Sequence, residues 1–180
     1  RSDSVILSMA CIYFDPDKQP SPQELRDNAF FAKFDVMEQM KTMHRSTSKS
    51  TMEWWSKQCD NVKNKSFKPN PAIDEKFVDG YERMRTWAKN KNDSKCWVWA
   101  RGNLDQLVMD DIEEQIGLTP IFPYARWRDV RTAVDFLCNT TNGYCEVDYP
   151  GFDPQAFITK HDPVDDCVYD AMMLTYGRKN

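Results

Sequence analysis

Two short segments of the 180-residue chain carry residue types at a spacing that suits chemistry. The first is Arg101-Gly102-Asn103-Leu104-Asp105, where a strand-like run ends, the backbone turns at Gly102, and an acid follows in the first turn of a helix. Ligands of open α/β sheets collect beyond the carboxyl ends of strands, and a helix dipole holds a carboxylate at its amino-terminus ionised, which suits a metal ligand. The same position also lets Asp105 serve simply as a complement to that dipole. The second segment is His161-Asp162-Pro163-Val164-Asp165-Asp166. Asp162 suits a helix cap, Pro163 the first helical position, and Asp165 lies three after the cap. His161 then sits just before the helix, free to face a cleft, with Asp166 one turn in. A neutral imidazole beside a cation-bound water makes a general base. A well-capped acidic helix with a surface histidine accounts for the same residues without any function. Asp166 and Asp170 share one side of this helix, opposite Val164, Cys167, Val168 and Ala171.

Other residues belong to binding rather than to chemistry. Trp54 and Trp55 offer faces on which bases of a single strand stack, or core packing, with one of the two expected to be buried. Arg126, Arg128 and Arg131 form a local basic cluster for phosphates, and alternation along a strand would point Arg126 and Arg128 the same way. His44, among Met37, Met40 and Met43, is expected to be incidental. No Gly-x-Gly-x-x-Gly, Walker or Gly-x-Ser-x-Gly sequence occurs, so the common nucleotide and hydrolase elbows are absent. Two histidines make a zinc site a poor fit, and a thiol enzyme would need His161 close to Cys167.

These residues need elements to hold them. Val5–Phe14 is a nearly continuous apolar run and predicts a buried central strand, ended at Asp15-Pro16-Asp17; Asn28–Phe34 predicts a second. Ser50 with Glu53 three residues later reads as a capping box opening a short helix that bears Trp54 and Trp55. Residues 59–70 read as a basic loop. Asn70-Pro71 is expected to start a long helix reaching about Asn90, with Ile73, Phe77, Tyr81, Met84 and Ala88 on one face. Cys96–Ala100 predicts a strand, Asn103 the cap of a helix with Leu104, Leu107, Val108, Ile112 and Ile116 inward, and Gly117 its end. Phe122–Trp127 predicts a strand, Asp129 caps a helix carrying Val130, Ala133, Val134 and Leu137, and the last helix spans about Asp162–Tyr176. Strands followed by alternating helices indicate a three-layer α/β domain with a mixed central sheet flanked by helices.

Composition bounds the rest. Residues are 41% apolar, 29% charged and 13% aromatic, which excludes a disordered tail or a fibre, and the length suits one domain. The net charge of −4 excludes general coating of a polyanion, so nucleic-acid contact must be local or bridged by cations. The longest apolar run, ten residues from Val5 and broken by Ser8, is too short to span a bilayer. Six cysteines at irregular spacing, with no Cys-x-x-Cys, read as reduced thiols of a cytosolic protein. The chain opens at Arg1 rather than Met, four residues before a strand-like run, so a preceding segment is expected.

Together the segments resemble the DEDDh 3′–5′ exonuclease superfamily, of ribonuclease H-like fold, and within it the phage DexA-type and RNase AS-like exonucleases. The resemblance rests on Ser50-Thr51-Met52-Glu53-Trp54-Trp55, Arg101-Gly102-Asn103-Leu104-Asp105, Trp127-Arg128-Asp129-Val130-Arg131-Thr132, and His161 with Asp166 five residues on, in matching order over nearly the whole chain. It implies that Asp105 and Asp166 bind two Mg²⁺ or Mn²⁺ ions, that His161 deprotonates the attacking water, and that a single-stranded 3′ end is the substrate, DNA ahead of RNA. Asn103, Trp54, Trp55, Arg126, Arg128 and Arg131 are the candidate substrate-binding residues. The protein would work in the cytoplasm, of a host cell if phage-encoded, without a membrane or organic cofactor. The family's first motif, Asp-x-Glu, belongs just before the Val5 strand and is absent from the sequence, so the resemblance implies a single domain over residues 1–180 lacking its amino-terminal strand. The stretch from Gly102 to Asp105 is also one residue shorter than the family's usual spacing. The rival from another class is a nucleic-acid- or protein-binding module that keeps the fold without the catalysis.

Overall fold

A computed structural model of the chain describes residues 2–91 and 96–179; Arg1 and Asn180, the ends of the expected domain, lie outside them. Strand β1 (Ser8–Cys11) runs antiparallel to β2 (Phe30–Lys33), with helix α1 (Pro22–Asp27) between them. Ser21 caps α1 through a complete capping box with Glu24, and Pro22 fills the first position, where no amide hydrogen is needed. Helices α2 (Val36–Thr42) and α3 (Lys49–Ser56) follow, then the single turn α4 (Asp60–Val62) and a π-turn over Lys63–Phe67. The long α5 (Phe77–Asn90) precedes β3 (Val98–Ala100), α6 (Leu104–Ile116), β4 (Trp127–Asp129), α7 (Val130–Cys138), the one-turn α8 (Pro154–Phe157) and α9 (Pro163–Tyr176). Strand β3 pairs in parallel with β4, Ala100 opposite Asp129.

Period-two alternation gives the first sheet two apolar faces. Met9, Cys11, Phe30, Ala32 and Phe34 turn towards Phe77, Tyr81 and Met84 of α5 and Ile112 of α6. Ala10, Ile12 and Phe31 turn the other way, towards Leu25 of α1 and Val164, Val168, Ala171 and Met172 of α9. Each fully buried side chain of this size contributes roughly 1.5–3 kcal/mol. Met173 of α9 packs on Val130 and Val134 of α7, which follows β4, so α9 lies between the first sheet and α7. Through Asp170, which bonds Arg101, the same helix is tied to the end of β3.

Helices and small sheets are mixed as expected, yet among the described residues the strands form two separate two-stranded sheets, not one mixed sheet. The Val5–Phe14 strand shrinks to Ser8–Cys11 and is half-buried rather than buried and central. Its first residues find other partners: Val5 bonds to the Ser46 carbonyl, and the buried Gln39 amide takes both the N–H and the C=O of Ile6 at 2.9 and 2.8 Å. Ser48, not Ser50, caps α3. The expected loop over residues 59–70 contains α4 and the π-turn. The long helix starts at Phe77 instead of Pro71, because Asn70 closes a turn onto Ala72 and Asp74 and Glu75 bridges to Phe34. Leu104, Leu107 and Leu137 are exposed. The buried face of α6 is Met109, Ile112 and Glu113, whose carboxylate accepts from Tyr81 Oη and from the Ile121 amide at 3.3 Å. Strand β4 begins only at Trp127, since Pro123 has no amide hydrogen and Tyr124–Arg126 form a 3₁₀ turn. Cys11, Cys59, Cys138, Cys145 and Cys167 carry free thiols.

Candidate active site

The amino-terminus of α9 forms as its sequence dictates. Asp162 caps it, accepting from the Val164 and Asp165 amides at 2.9 and 3.3 Å, and Pro163 takes the first position. Lys65 of the π-turn grips both Asp162 oxygens at 2.6 Å. His161 enters this cap in the left-handed region, φ 68°, a conformation that non-glycine residues hold only where surroundings impose it. Its amide donates to Asp166 Oδ1 at 3.3 Å, and its ring meets Trp54 edge-on with centroids 4.8 Å apart. His161 and Asp166 are thus tied together on one turn, with an exposed tryptophan against the imidazole.

The end of β3 is fixed by β4. The Gly102 amide donates to Asp129 Oδ1 at 2.8 Å, while Asp129 also caps α7 and accepts from the Thr132 hydroxyl at 2.6 Å. Burial acts to raise the Asp129 carboxyl, but those bonds from Thr132, Gly102 and Arg131 outweigh it and hold it down to about 2. Gly102 sits at φ 77°, and a Cβ there would run into the Arg131 guanidinium, so glycine serves both the turn and the close approach. Asn103 flanks α6 without a side-chain cap bond, contrary to its expected capping role, and Asp105 lies in the first turn.

The two segments meet electrostatically. Burial pushes the Asp105 carboxyl up. Burial also raises Asp166, partly offset by the His161 amide and the His161 charge. Asp170 is pushed to about 6, chiefly by burial; Arg101 opposes this, and the Asp166 and Asp105 charges add to it. Burial and then the Asp105 charge drive the Cys11 thiol to about 12, so β1 borders the same acidic patch. Cys167 is half-buried, its thiol is pushed well above the usual range by burial, and it donates to the Ala10 carbonyl at 3.6 Å. A thiol held protonated is a weak nucleophile, which counts against the thiol-enzyme reading. Asp105 and Asp166 are open to solvent on one side and desolvated by protein on the other, with the Asp162 charge adding to the rise at Asp166. Carboxylate oxygens of this kind are hard donors, the chemistry that suits Mg²⁺ or Mn²⁺ rather than zinc. Among the described residues no three His, Cys, Asp or Glu side chains converge as a group that could hold a metal ion.

Of the expected residues, His161, Asp166 and Trp54 come together, Asp105 follows the strand end that Arg101 bonds to Asp170, and Arg131 lies over Gly102 beside Asn103. Trp55 is half-buried and stacks on Phe67, so neither tryptophan is fully buried. Arg126 and Arg128 do not share a strand face: Arg126 reaches the Cys96 carbonyl at 3.2 Å from the 3₁₀ turn, and Arg128 covers the Trp97 ring. His44 lines a different surface groove, with Asp3, Asp111 and Glu114. Sequence reasoning misses Lys65, Asp129 as the tie to Gly102, and the pairing of Arg101 with Asp170. Asp170 carries a sequence signal, four residues after Asp166 on the same helix side, and Asp129 carries one only as a helix cap. No helix among the described residues is long and apolar enough to cross a membrane.

The chain is 26% identical to an exodeoxyribonuclease of Enterobacteria phage T4 over 192 residues, 97% of this chain and 82% of that protein. No solved structure matches it significantly. The sequence pattern of a 3′–5′ exoribonuclease Rv2179c-like domain matches residues 1–177. The chain therefore belongs to the Rv2179c-like family of DEDDh-type exonucleases.

Proposed function

We propose that the protein is a divalent-cation-dependent exonuclease that shortens single-stranded nucleic acid from its 3′ end, DNA in preference to RNA, with His161 as general base. The observation that carries this reading is the union of His161 and Asp166 on one turn against an exposed Trp54, on a helix whose Asp170 is bonded to Arg101 at the strand end that leads to Asp105. The T4 relative is named for DNA and the family description for RNA; both concern phosphodiester hydrolysis. Asp105 and Asp166 would contribute carboxylates to one or two Mg²⁺ or Mn²⁺ ions. Such ions, when bound, neutralise phosphate and stabilise charge on attacking and leaving oxygens. His161 accepts the proton of the attacking water at an imidazole nitrogen, and its left-handed backbone and the Trp54 ring hold that nitrogen in place. Trp54 presents its other face to the terminal base, Asn103 flanks the site, and Arg131 presents its charge to the adjoining phosphate.

A second reading, a binding module without catalysis, is favoured by the lack of a closed metal cluster among the described residues. Digestion of matched 5′-labelled DNA and RNA strands with Mg²⁺, with and without chelator, separates the two. The enzyme gives a ladder that shortens stepwise and stops on chelation. Intact strands retained in a complex would instead establish the binding module.

A further inference from the structure

Arg101 is the last residue before the Gly102 turn that leads to Asp105, and Asp170 lies one helical turn beyond Asp166 on α9. The two side chains meet: Arg101 Nε donates to Asp170 Oδ1 at 2.8 Å, and Nη2 lies 2.7 Å from the same oxygen. Both are largely withdrawn from solvent, with side-chain exposures of 26% and 19%. The guanidinium is held on two further sides, by the Gly143 carbonyl at 3.1 Å and by the Tyr144 ring, 4.2 Å below its centre. One held side chain therefore links the two elements that carry the candidate metal carboxylates. It also sets one positive charge against Asp170 and, further off, Asp166.

We propose that Arg101 and Asp170 form a clasp that fixes the spacing of Asp105 and Asp166 and so sets the affinity of the site for a divalent cation. The proposal rests on the metal-dependent reading above. Arg101 and Asp170 act as positioning residues: they hold the strand end and α9 together and touch neither substrate nor cation. An exposed ion pair would contribute little, but this one is half-desolvated, doubly contacted and braced by an aromatic face.

The variant R101M/D170N tests it, because it removes the clasp while leaving the net charge of the patch unchanged. Mn²⁺ affinity of the full-length protein is measured by titration calorimetry or by electron paramagnetic resonance of free Mn²⁺, with circular dichroism as the check of folding. The clasp predicts Mn²⁺ binding about tenfold weaker in the double variant. In R101K, which keeps the charge and one donor, the loss should be no more than about threefold. Y144A keeps both charges and changes an exposed ring, so it folds even if the double variant does not; it should weaken Mn²⁺ binding about threefold. Wild-type binding with unchanged affinity in the folded variants overturns the clasp and leaves the metal site standing. Absence of Mn²⁺ binding by the wild-type protein overturns both.

Discussion

Replacing Asp129 by alanine should destabilise the protein by about 2 kcal/mol and loosen the turn that carries Asp105. The carboxyl caps α7, receives the Thr132 hydroxyl at 2.6 Å and is the acceptor for the Gly102 amide at 2.8 Å. Its hold from 3.8 down to about 2 corresponds, at about 1.36 kcal/mol per pH unit, to about 2.4 kcal/mol for the ionised form. The side chain is 33% exposed, so screening trims this to about 1–2 kcal/mol. Alanine adds loss of the cap, about 1 kcal/mol, much of it already inside that figure. Asparagine keeps a capping oxygen and loses only the charge, so Asp129→Asn should cost about 1 kcal/mol. Because the folded value is depressed, the stabilisation is complete above about pH 4 and is lost as pH falls through about 2. Urea unfolding of wild type and Asp129→Asn from pH 7 to pH 2 should show a constant gap down to about pH 4 that then closes. A gap that stays the same at pH 2, or an alanine variant within about 0.5 kcal/mol of wild type, would refute the reasoning.

Other outcomes follow from single contacts. Arg26→Met should cost about 3 kcal/mol by denaturant unfolding, since it leaves the buried Asp165, 2.7 Å from Arg26 Nη2, without its counter-ion. Gly177→Ala should lower thermal stability by about 1–3 kcal/mol, because a Cβ there lies 2.5 Å from the Met173 carbonyl oxygen and 2.6 Å from Cys138 Sγ. Asp105→Asn and Asp166→Asn should abolish Mg²⁺-dependent digestion without lowering the melting temperature, because burial already disfavours both charges; a large drop in melting temperature would assign them to structure. Trp54→Ala, at a ring 43% exposed, should weaken single-strand binding by about 1–3 kcal/mol with little effect on folding, read by fluorescence anisotropy.

The parts of the site that were legible in the sequence are those whose structure is local. The Asp162-Pro163 cap, the α9 stripe of Val164, Val168 and Ala171, and the closeness of His161 to Asp166 all follow from spacing within ten residues. The Gly102 turn and the Asp129 cap were equally readable, but their mutual hydrogen bond was not, since 27 positions separate donor from acceptor. Lys65 reaches Asp162 across 97 positions, and Arg101 reaches Asp170 across 69. No periodicity encodes such meetings. Where local reading failed, a tertiary competitor won: Gln39 took the backbone of Ile6 from the expected strand, and Glu75 bridged to Phe34 where a helix was expected. Arg126 and Arg128 failed as a pair because Pro123 delays the strand until Trp127.

The central claim is that His161 removes the proton of the attacking water. Single-turnover digestion of a 5′-labelled single strand by full-length wild-type and His161→Ala protein at saturating Mg²⁺, with Mn²⁺ affinity measured in parallel, tests it most directly. The account predicts a rate lower by roughly 10²–10⁴-fold with metal affinity essentially unchanged, because the carboxylates and not the imidazole hold the ion. A near-normal rate for His161→Ala would contradict it.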